Sequence, residues 1–275
     1  RPGVTERLGL GPEACLARNP RLVYGRMTGW GQTGPLALRA GHDLNYIALT
    51  GALHAIGRRG EPPTVPLNLI GDYGGGAMFL ALGVVSAVLS ARVTGEGQIV
   101  DAAMTEGAAV LMSMIYAFHG AGAWSEERES NLLDGAAPFY RCYECADGGH
   151  VAVAAIEPQF FAELLAGLNL APDRFVQHDR ARWPEMARAF EAAFLARTRD
   201  QWAELFEPTD ACVAPVLSMT EAPNHPHNAA RRAFATLDGI VQPMPAPRFS
   251  GGLAEPEPAE AISAEEALAR WTDAG

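Results

Sequence analysis

The chain of 275 residues carries 21 basic and 32 acidic side chains, a formal charge of −11, and every basic residue is an arginine. With no lysine, Schiff-base catalysis by lysine, pyridoxal phosphate anchoring and a P-loop lysine are all excluded. The acidic balance argues against a nucleic-acid partner. The four cysteines are too few for a disulfide framework and favour a reducing, cytoplasmic setting.

In chain order, neither an initiator methionine nor a basic-then-apolar leader opens the sequence, so it reads as a piece whose start lies upstream. Pro12-Glu13 begins a short helix that Asn19-Pro20 ends, and 21–27 follows as a strand. The glycines and proline of 30–35 mark a loop, a helix is expected over 42–53, and 61–66 is proline-rich. Asp72-Tyr73-Gly74-Gly75-Gly76 leads into an apolar helix that stops near Gly95. Its longest apolar run, 77–91, holds 15 residues, where a bilayer span needs about 20. A strand over 98–102 and a buried helix over 104–119 complete a strand–helix alternation, the pattern of an α/β domain with a parallel sheet.

Residues 126–131 are polar and read as a linker. Two strand-like runs, 138–145 and 150–155, flank Asp147-Gly148 and predict a hairpin. Helices are expected over 158–168, 184–197 and 200–206, then a strand over 211–217. From about Asn224 the chain is proline-rich until a final helix over 264–271. The division expected is therefore a large domain over 1–124, a linker over 125–137, a small α+β domain over 138–222, and a return segment with the C-terminal helix over 223–275.

Cys142 and Cys145 have metal-site spacing, yet no second ligand pair accompanies them, and strand alternation sends them to opposite faces. His225 and His227 read as a surface loop, and Met104, Met112 and Met114 as core filling. Asp72 before its three glycines reads either as a helix N-cap or as an acid beside amides that a ligand approaches. His42-Asp43 follows a glycine loop, with Asp43 the expected cap, and Glu157-Pro158 has the form of a cap followed by proline at N1. Together a His, an Asp and a Glu stand at helix mouths, the positions that line the crevice of α/β sheets.

Several stretches carry a resemblance: Arg1-Pro2-Gly3-Val4 with Arg7-Leu8-Gly9-Leu10, 28–35, and Thr94-Gly95-Glu96-Gly97-Gln98 with Asp101. The chain resembles the class III CoA-transferase superfamily and, through Gly41-His42-Asp43-Leu44-Asn45-Tyr46, 66–72, 133–140, 155–160 and 210–217, its α-methylacyl-CoA racemase branch. The resemblance implies a Rossmann-like large domain, N-terminally truncated here, with a small domain in an interlocked dimer. It implies that His42, supported by Glu157, is one base and Asp72 the other. Contacts to CoA are implied for Arg7 and for Gly41, His42, Asp43, Leu44, Asn45 and Tyr46. Further basic contacts to CoA are implied for a segment upstream of Arg1. CoA belongs to the substrate, and no separate cofactor, metal or membrane is implied.

Inverting the carbon next to a thioester requires two bases on opposite faces, one protonated and one not. Gly71 to Gly76 is the expected source of amides for the enolate. Two other readings stand beside this one: a class III CoA transferase with Asp72 as nucleophile, and a fragment that folds and dimerises without catalysing.

Overall fold

Two parallel strands, β1 (Val23–Thr28) and β2 (Gln98–Ala103), run in register from Val23 opposite Gln98 to Thr28 opposite Ala103. The computed structural model that gives this register describes residues 1–252, 256–257 and 261–272. Its contacts divide the chain into two bodies, 1–214 and 215–275. Ahead of β1 stand α1 (Val4–Arg7) and α2 (Pro12–Arg18), the latter opened by Pro12 as expected.

Between β1 and β2 come α3 (Asp43–Ala48), α4 (Ala52–Ala55), a π-helical segment (Leu69–Ala77) and α5 (Met78–Thr94). The single helix expected over 42–53 is therefore two. Buried Thr50 turns its hydroxyl back onto the Ile47 carbonyl at 2.8 Å, and Gly51 takes φ 76°, which a continuing helix forbids. After β2, α6 (Met104–Leu111) and α7 (Ser113–Gly120) replace the one helix expected over 104–119. At their junction the Ser113 hydroxyl bonds the Val110 carbonyl at 2.6 Å.

The largest departure lies over 69–94. The glycine triplet does not precede the helix but sits inside it, so one continuous helical run of 26 residues replaces the expected start near Gly76. By length and composition that run is sufficient to cross a membrane, contrary to the count based on 77–91. One side packs on the strands: a Cβ on Gly25 would meet Val84 and Leu80, and one on Gly83 would meet Val100. On the other side Leu82, Val85, Leu89 and Val93 are exposed.

The second layer of the same body is built on the predicted hairpin, β3 (Tyr140–Glu144) against β4 (His150–Ala154), with Gly148 at φ 75° in the turn. β5 (Val213–Pro215) adds beside β4. The helices α8 (Pro158–Gly167), α9 (Trp183–Phe194) and α10 (Arg199–Phe206) cover the hairpin. α9 ends short of the expected Arg197 because Thr198 caps α10, its hydroxyl taking the Gln201 amide while the Gln201 side chain takes the Thr198 amide. Tyr143 stacks on Phe194 at 4.9 Å, and Phe139, Phe190, Leu164 and Met186 are fully enclosed. The two buried indoles of this core are satisfied: Trp202 donates to the Phe194 carbonyl and Trp183 to the Gln177 carbonyl. As strand alternation requires, Cys142 is exposed and Cys145 buried.

In the second body, α11 (Pro226–Ala230) precedes a hairpin of β6 (Phe234–Leu237) and β7 (Ile240–Pro243), and α12 (Ala264–Thr272) follows. Asp238 and Gly239 form its turn at φ 50° and 79°. The stretch read from sequence only as proline-rich thus holds a hairpin at that Asp-Gly signal, whose positive φ at both positions suits a two-residue turn.

Two stability tests follow from the aromatic layer. Phe190→Ala should lower unfolding free energy by about 3–5 kcal/mol, read from denaturant midpoints at constant m. Burial holds the Tyr143 phenol well above its ordinary range, opposed by Arg141 and reinforced by Glu191. An unfolded tyrosine releases its proton near pH 10 while the folded one keeps it, so stability is full below about pH 10 and falls as pH rises beyond it. Tyr143→Phe should flatten that alkaline limb while costing about 1 kcal/mol at neutral pH for the lost bond to the Pro138 carbonyl.

Candidate active site

The first turn of α3 presents His42 as its N-cap, in extended backbone at φ −134°, with the His42 amide donating to the Asn45 side chain at 3.1 Å. The imidazole is exposed while its neighbour Asp43 is buried. Asp43 does not cap its own helix. Its Oδ2 accepts the amides of Gly71 and Asp72, each at 2.7 Å, and so joins α3 to the π-helical segment. Its Oδ1 is enclosed without a protein partner.

Asp72 stands in the first turn of that segment, half-buried, rather than at a helix cap. Asn68, which the sequence reading did not single out, donates from Nδ2 to Asp72 Oδ2 at 3.2 Å. The four-residue spacing from Asn68 to Asp72 at a helix start was the signal available. The expectation that Gly71 to Gly76 supply amides to an enolate is corrected in part, because the Gly71 and Asp72 amides are already engaged by Asp43. Gly75 is taken up by packing. A Cβ on Gly75 would lie 2.5 Å from the Ala108 amide nitrogen, and one on Gly107 would lie 1.9 Å from the Gly75 carbonyl oxygen, so the pair permits close crossing of the segment with α6.

A cavity of about 420 Å³ is lined by His42, Asn68, Asp72, Tyr46, Met27 and Met104, among others. His42 and Asp72 thus face one space. Met104, expected as core, lines it instead. A second cavity of about 330 Å³ shares His42 and Tyr46 and adds Trp30, Arg39 and Arg1. Tyr46 closes the wall between the loop 29–41 and α3. Its hydroxyl donates to the Gly41 carbonyl, and its ring meets Trp30 edge-on at 4.8 Å. A Cβ on Gly29 would sit 2.0 Å from that ring, so the loop approaches only because position 29 is glycine. Burial, with the Asp72 carboxylate close by, holds the Tyr46 phenol above its usual range, and Arg1 opposes this.

The remaining expected residues are elsewhere. Arg7 and Glu157 line neither cavity, Leu44 and Asn45 are exposed beside them, and Gly41 lines both. Glu157 is the N-cap residue of α8, yet its exposed carboxylate makes no capping bond. It lies close enough to Cys212 to help raise that thiol, whose shift comes first from burial. A further cavity of about 280 Å³, lined by His54, Tyr116, His119 and Trp124 among others, is separate. Part of its polar wall is engaged internally: Arg128 donates to the carbonyls of His54, Arg58 and Glu61, and Asn131 pairs with Ser125 and Asp134. Among the described residues no cluster of three or more His, Cys, Asp or Glu is arranged to hold a metal.

Comparison with known proteins matches these elements to a single lineage. The chain is 47% identical over 253 residues to the α-methylacyl-CoA racemase of Mus musculus, and 46% identical over 249 residues to that of Homo sapiens. Those alignments cover 91% and 90% of this chain but only 66% and 65% of the racemases, so the chain spans just under two thirds of their length. Among solved structures, a CAIB/BAIF family protein from Brucella suis superposes with a TM-score of 0.78 at 23% identity, over 98% of this chain and 72% of that one. The family model for CoA-transferase family III matches residues 1–261. With that span matched, and with the fold shared, the chain belongs to CoA-transferase family III.

Proposed function

We propose that the protein inverts the α-carbon of 2-methyl-branched acyl-CoA thioesters by two-base proton transfer through an enolate. The observation that carries this reading is the placement of His42 and Asp72 on one cavity. A transferase using an aspartate nucleophile has no need of an imidazole facing it. The likeness to the mouse and human racemases supports the same choice.

The chemistry is demanding. If the α-proton is on the order of ten pKa units less acidic than the conjugate acid of the base, the gap is worth ~14 kcal/mol. Part of it is met by holding both bases at fixed geometry, and part by donors to the enolate oxygen. With the Gly71 and Asp72 amides engaged, such donors come from the opening turn of α3, since the first amides of a helix have no intrahelical acceptor. CoA lies along Gly41 to Tyr46, with Arg1 and Arg39 on the cavity wall and Arg7 as its basic contacts. It enters as part of the substrate, and no other cofactor is invoked. Glu157 belongs to the second layer and is uncommitted there, so it supports His42 from a second copy of the chain in an interlocked dimer. The setting is the cytoplasm.

His42→Ala should lower racemisation by about 10²–10⁴-fold, the worth of a general base, with deuterium entry lost for one enantiomer of substrate and retained for the other. Unchanged inversion in the variant excludes His42 as a base, and a hydroxylamine-trapped acyl adduct on Asp72 moves the assignment to the transferase. Co-expression of His42→Ala with Glu157→Ala tests the shared site. Each variant alone should be nearly inactive, while the mixture should regain about a quarter of wild-type activity, because half the dimers are hybrids and each hybrid holds one intact site. Absence of recovery places Glu157 and His42 in the same chain's site.

A further inference from the structure

We propose that Asp43 is a positioning residue that fixes the two bases relative to each other, a role that rests on the racemase reading. His42 precedes it by one peptide bond, and its carboxylate Oδ2 takes the amide of Asp72 itself, together with that of Gly71, each at 2.7 Å. Each base is therefore one residue or less from the same oxygen. One is attached through the backbone of α3 and the other through its own N–H.

Among the described residues no backbone–backbone hydrogen bond links α3 to the π-helical segment. What else joins them is apolar, with Ile47 and Ile70 meeting in one small cluster with Ala108. Apolar contact holds elements together without setting their register, whereas two short charge-assisted hydrogen bonds have direction. Position 71 is fitted to the grip: a Cβ there would lie 2.7 Å from Asp43 Oδ2, so only glycine admits the carboxylate this close. Asp43 is 4% exposed, which keeps water from competing for the two amides.

Two-base inversion is sensitive to this geometry in a way that single-base exchange is not. Either base alone can remove the α-proton and return a solvent-derived one to the same face, giving deuterium with retained configuration. Inversion needs the second base opposite, within reach of the planar enolate. Loosening the clamp should therefore shift the partition from inversion toward exchange with retention, an effect that mere loss of folded protein does not produce.

The test compares wild type, Asp43→Ala, Asp43→Asn and Gly71→Ala on (R)- and (S)-2-methyloctanoyl-CoA in deuterium oxide. It reads inversion, retained-configuration deuteration, and hydrogen exchange of the 71 and 72 amides. Asp43→Ala should lose protection at both amides and lower kcat for inversion about 10²-fold with KM little changed, the inversion-to-retention ratio falling with it. Asp43→Asn, which keeps an acceptor oxygen without the charge, should recover part of both signals, and Gly71→Ala should behave like the alanine variant. If Asp43→Ala fails to fold, the other two carry the same comparison. Lost amide protection with a wild-type ratio overturns the positioning role, and so does unchanged protection in Asp43→Ala. Wild-type protein that neither inverts nor exchanges either enantiomer overturns the racemase reading and this role with it, while amide protection still reports whether the clamp exists.

Discussion

A carboxylate with 4% of its surface exposed must find donors or give up its charge, and Asp43 finds two amides at the start of a helix. The π-helical segment begins at Leu69, and i→i+5 bonding leaves its opening amides unpaired for longer than an α-helix would. Asp43 therefore caps a helix it does not belong to, from a position 28 residues earlier in the chain. The same charge lies at the positive ends of two helices, its own α3 and the π-segment, and both favour it. Without it the Gly71 and Asp72 amides lose their acceptor, and with them goes the hydrogen-bonded link between α3 and the π-segment.

The other side of the π-segment is held by an absence of side chains. Gly75 and Gly107 let its backbone cross α6 at a separation that a single methyl group on either would forbid, and Ala108 is wholly enclosed there. Gly76 admits the Met27 sulfur and the Met104 side chain, which then line the cavity beside His42 and Asp72. Three consecutive glycines cost a helix about 3 kcal/mol relative to alanine. They persist because close packing on α6 and the Asp43 cap offset that cost. Asp72 is accordingly fixed from both sides, by the hydrogen bond to its own amide and by tight packing one turn later, while Asn68 orients its carboxylate.

This explains which features can be read from the residues and which cannot. The hairpin at Asp147-Gly148, the strands β1 and β2 and the start of α8 at Pro158 follow local rules, because turn chemistry and fixed φ act within a few residues. The hairpin at Asp238-Gly239 obeys the same rule, but prolines at 243, 245 and 247 obscure it. The π-segment defeats local reasoning: propensity ends the helix at its glycines, and only packing on α6 carries it through. Asp43 defeats it differently, since capping rules search a few residues downstream. Its donors at 71 and 72 follow Ile70, the apolar anchor that meets Ile47 and Ala108, and they lie far along the chain beyond α4 and the proline-rich stretch.

α5 is apolar on two sides: Ala87, Ala91 and Val84 turn toward the strands, while Leu82, Val85, Leu89 and Val93 remain exposed at 65–81%. A helix apolar all round belongs in an interior, so its second side calls for a cover. In the second layer Glu157 holds an exposed carboxylate that neither caps α8 nor lines the cavity of His42 and Asp72. An uncovered apolar helix face and an uncommitted acid have a common resolution in the proposed dimer. If a second copy covers the apolar face and brings its Glu157 to His42, burial of the helix and completion of the proposed site become one event. Under that arrangement the proposed activity would depend on association, because the grip of Asp43 sets His42 against Asp72 within a chain and the partner would supply what orients the imidazole.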